Sequence, residues 1–265
     1  MGSEKYPVLI TIPHCSTFVP AELRKLMMLK DAGIRKMCDP FTDEIFDVPK
    51  AHVVKARINR TVTDLNRAPD DIESEAKLTN AGVVVSIDLD GNPIYKTPPS
   101  LEMIQERVEK YHETFHNKIE EIKPEVRFLI DGHSLRSVGP TTREDAGKER
   151  ADIILGNRDY TTCSRHMTYK VLKFFEDRGF RVTINDPYKG AYLIGYHCSR
   201  KGLPGIQIEV NEKLYMNEKT RRPYKKKVAE LRSIMAWLVK EIAEEIGKST
   251  APSKTKKQQE LFNFN

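Results

Sequence analysis

The sequence predicts an α/β fold: a mostly parallel central sheet covered by helices on both faces, in a three-layer αβα arrangement. Three observations point there. Short apolar runs rich in β-formers, such as Val8-Leu9-Ile10-Thr11-Ile12 and Phe128-Leu129-Ile130, recur along the chain. Between them, apolar residues return with helical spacing, as Val108, Tyr111, Phe115 and Ile119 do. Strands that alternate with helices build parallel sheets with both faces covered. Finally, His14, His133 and Glu209 fall at or just past the ends of apolar runs, and the carboxyl ends of strands are where open α/β sheets collect ligands and catalytic groups.

Taken in order, residues 6–13 read as a central strand that delivers His14, followed by Cys15-Ser16-Thr17. Residues 20–29 have helical spacing, with Pro20 placed to open the helix. Residues 39–46 hold Thr42 as a helix cap, with Asp43, Glu44 and Asp47 close behind. A second strand at 52–56 runs into the arginine-rich stretch 57–67. Residues 83–95 read as a hairpin around Asp90-Gly91-Asn92. Pro98-Pro99-Ser100 ends that element, and Ser100 caps a long amphipathic helix over 101–122. The strand 126–130 stops at Asp131-Gly132-His133-Ser134, where the glycine is expected to turn the backbone so that acid and imidazole face one crevice. A polar, mobile stretch follows at 137–150, then a strand at 151–155, a helix at 162–175 closed by Gly179, a strand at 181–184 and a Gly- and Tyr-containing loop at 185–196. The last core strand, 205–210, ends at Glu209-Val210-Asn211. An amphipathic helix over 226–246 carries Leu231, Met235, Leu238 and Ile242 on one face. One domain over residues 1–246 is expected, with 247–265, poor in apolar residues and rich in Lys and Gln, as a disordered basic tail.

Composition narrows the function. The chain has 265 residues, 39% hydrophobic and 31% charged, enough to bury a core under a highly charged surface. No run of about 18 apolar residues exists to span a membrane, and no charged-then-apolar leader precedes the first strand, so the expected location is the cytoplasm. The four cysteines never form a C-x-x-C pair, which excludes a disulfide framework and a zinc knuckle. The net charge of +6 is concentrated around 221–227 and 254–257. Without an aromatic-interleaved basic surface it points away from nucleic acid and suits an acidic small molecule.

Two imidazoles with a carboxylate, as in His14, His133 and Glu209, are the ligand type of a catalytic zinc that keeps one position open. Such a metal draws the pKa of water towards ~7 and polarises a carbonyl; a separate carboxylate must then move the proton. Asp43, Glu44, Asp131 and Glu209 supply acids for both jobs. There is no H-E-x-x-H or H-x-x-E, so spacing alone leaves open the reading of satisfied structural histidines. Likewise Arg57, Arg60 and Arg67, with Asp64-Leu65-Asn66, make either a clamp for a substrate carboxylate or an ordinary surface ion pair of Asp64 with Arg67, worth ~0–1 kcal/mol. His112 and His116, at i and i+4, have metal-binding spacing, but in so charged a helix they read as a solvated face or a cap to neighbouring helices.

Together Ile12-Pro13-His14, Thr42-Asp43, Arg60 with Asp64-Leu65-Asn66-Arg67, Asp131-Gly132-His133-Ser134, Asn185-Asp186-Pro187-Tyr188-Lys189-Gly190, and Ile206-Gln207-Ile208-Glu209-Val210-Asn211 with Leu214-Tyr215-Met216 resemble the N-formylglutamate amidohydrolase family, in order and spacing over about 8–215. The resemblance implies a phosphorylase/hydrolase-like fold related to zinc carboxypeptidases and aspartoacylases. It implies Zn2+ held by His14, His133 and Asp43, with Glu44 as the fallback third ligand. It further implies Glu209 as general base and acid, and Arg60 polarising the scissile carbonyl. Asn66 and Arg67 would grip the substrate's α-carboxylate, and Ser134, Lys189 and Gly190 would shape the pocket. The family has a glycine two residues after its first histidine; this chain has Ser16. The expected reaction is hydrolysis of an N-formyl or N-acyl acidic amino acid, with N-formyl-L-glutamate first. The rivals are an aspartoacylase- or carboxypeptidase-like hydrolase of another acyl amino acid, and a metal-free ligand-binding relative; a chain that keeps His14, His133 and Glu209 favours the enzyme.

Overall fold

A computed structural model of the chain describes residues 5–73, 81–141, 143–199 and 201–250. Its strands are β1 (Val8–Ile12), β2 (His52–Lys55), β3 (Phe128–Leu135), β4 (Ile153–Gly156), β5 (Val182–Ile184) and β6 (Gly205–Asn211), with a small antiparallel pair, β7 (Met216–Asn217) and β8 (Arg222–Pro223). The six main strands form one sheet in the order β2-β1-β3-β6-β4-β5. β2, β1, β3 and β6 run parallel; β4 is antiparallel to β6, and β5 is parallel to β4.

The helices are α1 (Ala21–Arg24), α2 (Asp31–Lys36), α3 (Thr42–Ile45), α4 (Leu101–Arg107), α5 (Thr114–Ile122), α6 (Arg165–Glu176), α7 (Tyr192–His197) and α8 (Lys225–Thr250). Alternation along the buried strands divides them between two cores. Val8, Ile10, Ile12, Phe128, Ile130, Ile206 and Ile208 pack with Phe46, with Val171 and Phe175 of α6, and with Leu231, Met235 and Leu238 of α8. Leu9 and Leu129 point the other way, onto Phe115 and Ile119 of α5 and Leu193 and Ile194 of α7. The predicted αβα layering is therefore the observed one.

Several elements differ from the sequence reading for local reasons. β3 does not stop at Asp131 but runs through His133 to Leu135, because β6 pairs with it along that whole length. Gly132 is thus not a turn residue; a Cβ there would lie 2.7–2.9 Å from the ring of Phe46. The helix over 101–122 contains a π-helical turn at Val108–Glu113 between α4 and α5. Residues 83–95 form no strand pair; Asp88 accepts from the backbone of Asp90 and Asn92 and shapes a turn, and isolated bridges join Ile87 to Pro93 and Met27 to Tyr95. Within 20–29 only α1 is helical, and the 185–196 stretch includes the start of α7. α8 continues through residues 247–250 to Thr250. The remainder of the expected tail, 251–265, lies outside the described residues.

Candidate active site

His14 follows β1, and its backbone carbonyl accepts the N–H of Asp39 at 2.9 Å. His133 lies within β3. His14, Asp39 and His133 each turn one ligand atom into a common space, all within 4.8 Å of one another. The imidazoles are fixed from behind by carboxylates. His14 Nε2 donates to Asp64 Oδ1 at 2.6 Å, and His133 Nε2 faces Asp131 Oδ2 at 3.1 Å, with Asn66 Nδ2 3.0 Å away. Thr11 Oγ1 in turn donates to Asp131 Oδ1 at 2.9 Å. Both Nδ1 atoms are thereby left towards Asp39 Oδ2, at 3.7 Å from His14 and 3.0 Å from His133. Carboxylate–histidine pairs of this kind set the tautomer and ring direction of metal-ligating histidines.

Asp39, rather than the expected Asp43, is the acid in this group. The chain geometry explains it. The Ser134 N–H donates to Asp39 Oδ2 at 3.2 Å, Tyr215 Oη donates to the Pro40 carbonyl at 2.9 Å, and Phe41 then adopts a left-handed backbone (φ 61°). That reversal starts α3 and carries Asp43, half-buried, and Glu44, exposed, off the cavity wall. Three acids within six residues offered no signal in the sequence for choosing among them.

The charges are strongly perturbed. Burial opposes ionisation of Asp39, yet hydrogen bonds from His133 and His14 hold it well below the usual carboxylate range. Asp64, fully buried, is likewise held low despite burial, by Arg60 and His14. Burial works against charge on His133, but Asp131 and Asp39 raise it well above the ordinary imidazole value. Two imidazole nitrogens and a carboxylate oxygen, sorted in this way, are a suitable donor set for a divalent cation such as zinc.

Glu209 sits opposite His133 in the β3–β6 register. Its Oε1 accepts from Gln207 Nε2 at 2.8 Å. Burial, reinforced by the nearby Asp39 and Asp131 carboxylates, pushes Glu209 up to about 8. Both residues line a cavity of about 510 Å³, together with His14, Asp39 and Arg60.

The other predicted residues divide as follows. Asn66, Arg67, Ser134, Lys189 and Gly190 all line this cavity; Arg57 is exposed and does not. Arg60 is bound through Nη2 to Asp64 Oδ2, and the Asp64 side chain is wholly buried, so Asp64 does not form the ordinary surface ion pair with Arg67 that the sequence allowed. Among the described residues Arg67 forms one ion pair, with Asp64 at 4.0 Å. Lys189 pairs with Asp159 at 2.9 Å on the rim. At Gly190, φ is +100° and a Cβ would lie 2.6 Å from Ile194, so only glycine fits. Sequence reasoning did not find Arg143 and Tyr188, which also line the wall. Among the described residues Arg143 forms no ion pair, which leaves its charge for an anion. Tyr188 stood in the Asn185–Gly190 motif without a role of its own, and the only signal for Arg143 was its position in a polar loop, which many surface residues share.

The N-formylglutamate amidohydrolase family model matches residues 6–216. The crystal structure of an N-formylglutamate amidohydrolase from Ralstonia eutropha JMP134 superposes with a TM-score of 0.82 at 26% identity, over 93% of this chain and 96% of that one. A gene product of Agrobacterium tumefaciens shares the fold, with a TM-score of 0.66 at 19% identity over 94% and 92%. No curated protein sequence matches the chain. The chain belongs to the N-formylglutamate amidohydrolase family.

Proposed function

We propose that this chain is a metal-dependent hydrolase that cleaves the amide bond of an N-formyl amino acid, with N-formyl-L-glutamate as the leading substrate and formate and glutamate as products. The observation that carries this reading is the pair of buried imidazoles, each backed by a carboxylate and turned towards Asp39, in the wall of an arginine-lined cavity. A divalent cation held by His14, His133 and Asp39, zinc being the best fit to that donor set, would supply Lewis-acid polarisation of the carbonyl and acidify a water.

The remaining steps are assigned to the chain's own residues. Glu209, desolvated and close to neutral in its proton affinity, takes the proton of the attacking water. The water oxygen bonds to the formyl carbon; Glu209 then returns the proton to the amide nitrogen as the C–N bond breaks. Arg60, held by Asp64, stabilises the negative charge that develops on the carbonyl oxygen. Asn66 and Arg67 orient the substrate through its α-carboxylate, and the Ser134 N–H helps fix Asp39. The uncompensated positive charge of Arg143 favours substrates with a second carboxylate.

The test is metal content of the purified protein together with formate release from N-formyl-L-glutamate, with and without chelator. One equivalent of zinc and chelator-sensitive formate are expected. Metal without formate release would redirect the search to another acyl amino acid. A protein that takes up no metal from zinc solution would refute the reading.

A further inference from the structure

A second set of buried histidines lies outside the hydrolytic centre. His112 is in the π-helical turn, His116 is on α5 and His197 ends α7, and all three are buried. Of the two readings offered for His112 and His116, the solvated face is not observed, and His116 instead meets a neighbouring helix through His197. His112 Nε2 donates to the Arg67 carbonyl at 2.8 Å, and His116 Nε2 donates to the Leu65 carbonyl at 3.0 Å. These carbonyls flank Asn66. The Asn66 side chain accepts from the Leu193 N–H at 2.8 Å and stands 3.0 Å from His133 Nε2. Residues 65–67 are therefore tied through their backbone to one helix and through Asn66 to α7 and β3.

The array continues to the surface. His116 Nδ1 meets His197 Nε2 at 2.7 Å, and His197 Nδ1 meets Glu120 Oε1 at 2.8 Å, on a half-exposed side chain. A carbonyl and a carboxylate only accept, so the two rings complete all their contacts by holding one proton more than two neutral imidazoles carry. Burial pushes His116 down to about 3 and lowers His197 as well, against the opposing pull of Glu120, so burial works against that extra proton. The chain ends at a carbonyl, which cannot pass a proton onward. Its product is position. Tyr192, which lines the active-site cavity, packs against both His112 and His116 at ring distances of 5.8 and 5.5 Å.

We propose that His112 and His116 are positioning residues for the reaction: they hold the backbone of residues 65–67 and thereby set the reach of Arg67 into the cavity and of Asn66 towards His133. This rests on the reading of Arg67 as the grip on the substrate's α-carboxylate. A leucine at either position fills similar volume but leaves a buried carbonyl without a donor, so the loop must shift to find one.

The experiment compares His112→Leu, His116→Leu, His112→Gln and His116→Gln in the full chain, with metal content and thermal midpoint recorded for each. Kinetics are measured on N-formyl-L-glutamate and on its α-carboxamide analogue. Because small displacements of a substrate clamp cost one to two orders of magnitude, the leucine variants should raise KM for the dicarboxylate by about tenfold or more. The carboxamide, which gives Arg67 no charge to hold, should change by less than about threefold, and glutamine, which keeps an N–H, should restore most of the loss. Equal losses on both substrates, or glutamine no better than leucine, would overturn the proposal. If the leucine variants do not fold, Glu120→Gln at the exposed end carries the test: a raised KM with unchanged kcat supports the proposal and an unchanged KM overturns it. If the unaltered enzyme hydrolyses neither substrate, the proposed function fails instead. Calorimetric binding of L-glutamate to the same variants then decides this one, with weaker binding expected and unaltered binding overturning it.

Discussion

Replacing Glu209 with Gln removes one titratable proton from the cavity wall while keeping the side chain's length and its acceptor for Gln207 Nε2. Two opposite effects are expected. Activity should fall by about 10²–10⁴-fold in kcat, the usual worth of a positioned general acid–base group, while the metal content stays that of the parent. Stability of the chelated, metal-free protein should rise at alkaline pH. Glu209 is pushed up to about 8 from an ordinary value of 4.5, so between these values the folded protein binds more protons than the unfolded chain. Stability therefore falls as pH rises through that window, and the full penalty is present above about pH 8. At about 1.4 kcal/mol per unit, the interval bounds the penalty at about 5 kcal/mol, and relaxation around the buried carboxylate leaves a few kcal/mol. Denaturant unfolding of the metal-free parent and of Glu209→Gln at pH 5 and pH 9 measures it. The two should be similar at pH 5, and the variant more stable at pH 9. Equal stabilities at pH 9, or a variant that retains more than about a tenth of the parent's kcat, would refute the assignment of Glu209 as a desolvated base.

Asp39→Asn should abolish metal binding while Asp43→Asn retains it, as read by metal analysis after gel filtration; the reverse would restore Asp43 as the third ligand. Zinc at about a hundredfold its dissociation constant should stabilise the parent by about 2.7 kcal/mol, visible as a rise in Tm that Asp39→Asn loses. Arg67→Gln removes a charged hydrogen-bond donor worth about 1.5–3 kcal/mol, so kcat/KM for N-formyl-L-glutamate should drop by roughly 10–100-fold, mostly through KM; an unchanged KM would remove Arg67 from the carboxylate grip. Gly132→Ala places a Cβ within 2.7–2.9 Å of the Phe46 ring. Overpacking of this kind costs about 1–3 kcal/mol, which should lower Tm by roughly 2–4 °C per kcal/mol; a thermal melt at neutral pH checks it.

Much of the architecture was legible because periodicity is a local property. Val8–Ile12 and Gly205–Asn211 announce buried strands by their apolar runs, and Leu231, Met235 and Leu238 announce α8 by their spacing. The failures lie where a neighbour overrode a local signal. Asp131-Gly132-His133 has the composition of a turn, yet hydrogen bonding to β6 keeps it extended. Residues 83–95 reverse as a hairpin does, with one antiparallel bridge from Ile87 to Pro93, but Val83, Val84 and Ile94 pack against Met37, Ile58 and Val62 and do not extend it into paired strands. His112 and His116 sit in a charged helix, but α7 and the 65–67 loop cover that face.

The sequence by itself determined the α/β layering, the placing of two histidines and a glutamate in or beside apolar strand runs, and the motif order that marks the family. Those features depend on residue type and spacing along the chain, which the sequence states directly. Tertiary structure alone decided that Asp39 completes the donor group, since the choice depends on the left-handed turn at Phe41 and on the distant Tyr215 hydroxyl that holds Pro40. It also decided that Asp64 and Asp131 stand behind the imidazoles and that Glu209 faces His133. The distances that matter there run between strands far apart in the chain, and hydrogen-bond register sets them.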